Sequence, residues 1–358
     1  MKKSVWLPAV IAPVVVAGAV AAPALAQAAA TPIAGSHPTA AAVIASIAES
    51  SDARYSGKLT QTSALGLPEL PAGAGGSSLE GDASDVLGLL TAPHTARVYV
   101  DGASKQRIQV TEQLAEQDLV RNGDRVWTWD SKDRTATQVT LPSRTADAPA
   151  AGTTTPTDVA ERAIDAITPT TTVSKPVATS VAGHDAWLLT LTPKSSDTLV
   201  GRVQLAVDQQ TGLPLRASVT AAGADDPAFQ VGFTSLDYGA PAARLFDFTP
   251  PAGADVTTKD LSDVDPGAAR GHGDGARGHD HGGATVSGSG WDTVVTLPAG
   301  TGATKDTGSD ASGLLDQLTT SVDGGRAVQT SLVSVYLTDD GRVLAGAVPV
   351  AALVAAAE

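Results

Sequence analysis

The stretch Thr-Ala-Arg-Val-Tyr-Val (95–100), Asp101-Gly102, Gln-Arg-Ile-Gln-Val (106–110), Asp-Leu-Val-Arg (118–121), Asn122-Gly123, Arg-Val-Trp-Thr-Trp (125–129) and Thr-Ala-Thr-Gln-Val-Thr-Leu (135–141) decides the fold. Apolar and polar residues alternate along each run, the pattern of a strand with one buried face. Asp-Gly and Asn-Gly between such runs predict hairpins with type I′ turns, which need positive φ at both central residues. The reading is a meander of short antiparallel strands with no helices between them. Its apolar face must curl around something, and Val98, Val100, Ile108 and Val110 lie on that face.

Outward from the meander, Pro38–Glu49 reads as a helix with Ile44, Ile47 and Ala48 on one face, and 54–62 as a first strand. Thr155 is the expected N-cap of a second helix, with Pro156 at its first position, an apolar face of Val159, Ala163, Ile164 and Ile167, and Pro169 ending it. Strand patterning resumes over 173–181, 185–192, 199–208, 214–222 and 228–234, giving about eleven strands in one unit. Residues 63–94 interrupt the sheet with Leu87, Leu89 and Leu90 in a long loop. Those leucines cap the core or form a movable apolar lid, and the pattern leaves both open.

Domain limits are expected at 1–28 for a signal peptide, 38–255 for the half-barrel, 256–290 for a Gly/His/Asp-rich linker and 291–358 for a small α+β unit. Lys2 and Lys3, the apolar run Val5–Ala22 and Ala24-Leu25-Ala26 form the signal pattern, so the chain is expected to be exported by the Sec route to the cell envelope or beyond. Loss of both lysines moves the net charge from −14 to about −16, which argues against a nucleic-acid partner. The 358 residues contain no cysteine, which excludes disulfides, thiol chemistry and lipidation of the chain itself. In the second unit, 291–297 and 327–337 read as strands, the latter paired to 342–348 through Asp339-Asp340-Gly341. Segments 312–321 and 350–357 read as helices.

No G-x-S-x-G, S-x-x-K, H-E-x-x-H or phosphate-cradling loop is present, so the protein is expected not to be an enzyme and to need no cofactor. His184 reads as a solvated turn residue. His272, His279 and His281 in the linker could take a soft divalent metal, with plain linker as the competing reading. Only 4% of the chain is aromatic, yet Trp127 and Trp129 share one face of one strand, and Trp187, Leu189 and Leu191 share a face of another. These five are the candidate lining of an apolar cavity, with Leu87, Leu89 and Leu90 as its lid; ordinary sheet core is the alternative.

Four motifs add a family likeness. Tyr55-Ser56-Gly57 with Thr62, the run Asn122-Gly123 to Trp127-Thr128-Trp129-Asp130, the hairpin Asp208 to Gly212-Leu213-Pro214-Leu215, and Phe246-Asp-Phe248-Thr-Pro250-Pro251-Ala-Gly253 together resemble the LolA/RseB-like envelope proteins, of the type found in high-GC Gram-positive bacteria. The resemblance implies a mainly β fold. Its core would be an unclosed half-barrel of about eleven antiparallel strands with inserted helices, followed by a small C-terminal α+β domain. It also implies a binding protein that holds an acyl chain of a lipid or lipoprotein. The alternative it implies is an RseB-like regulator that binds an envelope protein, the exported segment of an anti-sigma factor.

Overall fold

A computed structural model describes residues 38–66, 93–111, 115–142, 156–262, 284–299 and 319–358. The expected signal peptide, Leu87, Leu89, Leu90, Thr155, His272, His279 and His281 lie outside the described residues.

Two sheets hold the strands of the described residues. The first comprises β1 (Arg54–Ser63), β2 (His94–Asp101), β3 (Lys105–Thr111), β4 (Glu116–Asn122), β5 (Arg125–Asp130), β6 (Thr135–Thr140), β7 (Thr171–Val173), β8 (Val177–Val181), β9 (His184–Pro193), β10 (Val200–Asp208), β11 (Pro214–Ala221), β12 (Pro227–Tyr238) and β13 (Asp255–Asp260). Its order is β13-β6-β5-β4-β3-β2-β1-β12-β11-β10-β9-β7, with β8 also on β9. The ends β13 and β7 do not pair, so the sheet is unclosed. Two helices accompany it, α1 (Ala40–Glu49) and α2 (Pro156–Ile167).

Among the described residues the sheet has 13 strands rather than about eleven, for two reasons. The run 173–181 is broken by Pro176 into β7 and β8, since proline cannot donate to a ladder. Residues 255–260, of which 256–260 fall in the expected linker, return as β13 and pair with β6 in parallel, the single parallel pairing of this sheet among the described residues.

The Asn-Gly hairpin closes differently from the type I′ expectation. Asn122 pairs with Arg125, so Gly123 and Asp124 are the central residues. Gly123 has φ +66° and Asp124 is not left-handed, which is the type II′ arrangement. A turn with both central residues left-handed does occur, at Ala182 (φ 53°) and Gly183 (φ 85°), between Val181 and His184.

The second sheet runs β14 (Thr285–Ser287), β15 (Val294–Leu297), β19 (Val343–Gly346), β18 (Ser334–Thr338), β17 (Gly325–Gln329) and β16 (Thr320–Val322). α3 (Val350–Ala357) covers one face, where Val294, Ala327, Tyr336, Leu344, Val348 and Leu353 form the core. The run 327–337 is two strands, because Thr330–Val333 leave the ladder to meet the first sheet. Residues 320 and 321, expected in a helix, belong to β16; Trp291 sits in a short 3-10 turn ahead of β15.

The two sheets lock together. Leu332 is buried among Val200, Val219 and Phe229, and Ser331 N donates to Leu65 O at 2.8 Å. Leu199 N and Thr198 Oγ1 both donate to Ala347 O at 2.7 Å. Trp291 Nε1 donates to Thr171 Oγ1 at 2.8 Å.

One close approach sits at the centre of the first sheet. A Cβ on Gly57 would lie 2.7 Å from Ser235 O and 2.8 Å from the Phe233 ring, which also packs edge-on against Tyr55. Gly57→Ala therefore overpacks the β1–β12 seam and should cost about 1–3 kcal/mol, read as a lower urea midpoint at unchanged slope.

Candidate functional site

The register sorts the candidate residues onto two faces. Trp129 pairs with Asp118, Asp118 with Gln109, Gln109 with Arg97 and Arg97 with Lys58. Leu189 pairs with Leu205, Leu205 with Ala217, Ala217 with Val231 and Val231 with Gln61. Lys58 and Gln61 are an odd number of residues apart on β1, so they point to opposite faces. Trp127 and Trp129 are thus on one face, and Trp187, Leu189 and Leu191 on the other. The structure does not bring the two sets together.

Trp127 and Trp129 lie under the segment that follows β12. Phe248 packs on both indoles, with ring centroids 5.5 and 6.5 Å away, and Phe246 beside it is 1% exposed. Arg107 fixes this tail by donating to Leu245 O at 3.3 Å and pairing with Asp118 Oδ2 at 2.7 Å. Burial holds the Asp118 carboxyl above the usual carboxylate range, and Arg107 offsets part of that shift. A cavity of about 400 Å³ remains at the edge of the tail, between Asn122, Trp127 and Asp247.

The other face carries the helices. Trp187 and Leu189 are buried with Val207 against Val43, Ile44 and Ile47 of α1, and α2 packs in turn on α1 through Ala41, Ala45 and Ala160. Thr39 caps α1 by accepting from Ala42 N at 3.1 Å. The Trp187 indole N–H is buried and meets no hydrogen-bond partner among the described residues. Leu191 is half-buried between its partners Val173 and Val203. Beyond α1 the same face continues as Val98, Ile108 and Leu119, opposite one another across β2, β3 and β4. Val100, Val110, Val126 and Val139 flank that row by alternation. Val98 and Val100 are buried, whereas Ile108, Val110, Leu119, Val126 and Val139 are only half-buried among the described residues. Alternation in the sequence marked the first four of these apolar positions; the two tryptophans, larger and rarer, drew part of the expected lining to the opposite face of β5.

A second cavity, of about 870 Å³, opens where α1 begins and α2 ends, beside the edge strand β7. Pro38, Ala40, Ile164, Val173 and Pro176 form its apolar wall, and Lys175 and Lys194 stand at it.

His184 is not a free turn residue. Its Nε2 is 3.0 Å from Leu236 O, its ring packs edge-on against Tyr238, and its Nδ1 is 4.0 Å from the buried Asp208 carboxylate. Asp208 Oδ1 accepts from Gln210 N, Thr211 N and Thr211 Oγ1, so this cluster ties the β10–β11 turn to β12. No group of three or more His, Cys, Asp or Glu side chains poised for a metal occurs among the described residues.

No family model matches the sequence, and no curated protein does. Among solved structures the chain is similar to a MucA/MucB complex from Pseudomonas aeruginosa, at 18% identity over 87% of this chain and 95% of that one, with a TM-score of 0.43. It is also similar to a LolA superfamily protein from Nitrosomonas europaea, at 14% identity over 59% of this chain and 98% of that one, TM-score 0.25. An uncharacterized conserved protein from Thermus thermophilus matches at 11% identity over 61% of this chain and 98% of that one, TM-score 0.35. These are likenesses of fold. The functional reading rests on this chain's own residues.

Asp118 has a 3% exposed side chain, so Arg107→Ala strands a buried carboxyl and removes one of the tail's bonds to the sheet, at Leu245 O. That loss should cost about 3–5 kcal/mol in urea unfolding, while Arg97→Ala on the exposed part of the same face should change stability little.

Proposed function

We propose that this protein is a non-enzymatic binding protein that takes an acyl chain of a lipid or lipoprotein on the helix-bearing face of its open sheet. The observation that carries the reading is the apolar row Val98–Ile108–Leu119, continued by Val110, Val126 and Val139, of which only Val98 is fully buried among the described residues. Desolvation supplies the affinity, at roughly 0.8 kcal/mol for each methylene buried. Trp187 and Leu189 belong to the floor on which α1 rests. Trp127 and Trp129 take no part in this reading, since Phe248 already covers them.

Lipid extracted from the purified full-length chain and analysed by mass spectrometry should include an acyl-bearing species. Ile108→Asp or Leu119→Asp should lower uptake of added fatty acid at least about tenfold, the equivalent of two lost methylene contacts. Trp129→Ala on the opposite face should leave uptake unchanged. A wild-type protein that neither carries nor takes up acyl chains contradicts the proposal.

A second reading is favoured by the second sheet. Its face away from α3 lines up Val286, Val295, Ala345, Val335 and Val328 as successive partners, and Val286 is 67% exposed. This apolar strip suits a protein partner, the exported segment of an anti-sigma factor. Val286→Lys with Val295→Lys should abolish capture of such a segment in a pull-down and leave acyl uptake intact.

A further inference from the structure

The geometry points to the 870 Å³ cavity at the α1–α2–β7 corner as a site for an anionic amphiphile, whose carboxylate or phosphate is held by Lys175 and Lys194. This deepens the acyl-binding reading and rests on it. The chain has 38 acidic and 24 basic residues, yet among the described residues no carboxylate lines this cavity and two ammonium groups do. In a protein of that composition, a cationic rim with no compensating acid favours a negative group. The wall beneath it is apolar: Pro38, Ala40, Ile164 and Val173 offer carbon to a chain, not to a free inorganic anion. Size agrees, since small-molecule cavities run from about 300 to 1,000 Å³.

Lys194 is already oriented. Its Nζ donates to Thr168 O at 2.6 Å, which leaves two of its three N–H groups to turn toward a ligand. Lys175 stands exposed one residue before Pro176, whose ring fixes the backbone at the β7–β8 break. The cavity wall is also tied to the second sheet, because Thr171 Oγ1, within the lining, accepts from Trp291 Nε1. A ligand seated there touches the edge strand to which the second sheet is bonded.

The test is calorimetric titration of the full chain, below the micellar concentration of each probe, with palmitate, palmitoyl-lysophosphatidylglycerol, 1-palmitoylglycerol and inorganic phosphate. Both anionic amphiphiles should bind on the order of tenfold more tightly than neutral 1-palmitoylglycerol, as charge-assisted hydrogen bonds of about 1.5–3 kcal/mol imply. That advantage should shrink as salt rises, because the lysines are exposed. Lys175→Gln with Lys194→Gln should erase it while leaving 1-palmitoylglycerol binding unchanged. Lys175→Gln alone, which keeps Lys194 on Thr168, should remove part of it at a wild-type urea midpoint. Equal binding of the neutral and anionic amphiphiles overturns the head-group assignment and leaves the acyl reading standing. Inorganic phosphate binding as tightly as the lysolipid would reduce the corner to a plain anion site and overturn it as well. If no amphiphile binds, both claims fall together.

Discussion

A period of two along each strand divides the residues of the large sheet between two faces, and each apolar face needs its own cover. One face is covered by chain that follows the sheet. The tail after β12 lays Phe248 over Trp127 and Trp129 with Phe246 buried beside it, and Arg107 bonds to its backbone at Leu245. The other face is covered at one end by α1 on Trp187, Leu189 and Val207, and there α1 is itself backed by α2. The tail packs on Trp127 and Trp129, which stay half-buried beneath it, and the helix side leaves Ile108, Val110, Leu119, Val126 and Val139 half-buried among the described residues. The division of faces underlies the proposal that an acyl chain is taken on the helix side.

The second sheet shares the same economy. Leu332, bulged out between β17 and β18, is a side chain lent to the core of the first sheet, beside Val219 and Phe229. Backbone bonds at Leu199–Ala347 and Ser331–Leu65 flank that plug, and Trp291 reaches the edge strand at Thr171. Occupancy at the α1–α2–β7 corner and the position of the second sheet thus meet at a single threonine.

The meander was legible because its alternation is regular and its turns carry glycine; all five of its strands pair in sequence order. Three features were not. The break within 327–337 was hidden because Leu332 and Val333 look like strand residues, and Leu332 is apolar for the sake of a surface far away in the chain. The parallel strand β13 depends on the return of the tail, which no local pattern announces. Most telling, alternation says that Trp127 and Trp129 share a face, but not which one, and size made them more conspicuous than Ile108 or Leu119. Of the expected lining, Trp187 and Leu189 lie on the helix-bearing face as floor under α1, and Leu191 lies beside Val173 on the same face.

The most direct test is photo-crosslinking of the full chain with a diazirine-bearing fatty acid, followed by residue-level mass spectrometry. The account predicts labels on Ile108, Leu119 and Val126 and on the walls of the α1–α2–β7 corner. Labels confined to Trp127, Trp129 and Phe248 would contradict it, because the ligand would then lie on the face that the tail is held to fill.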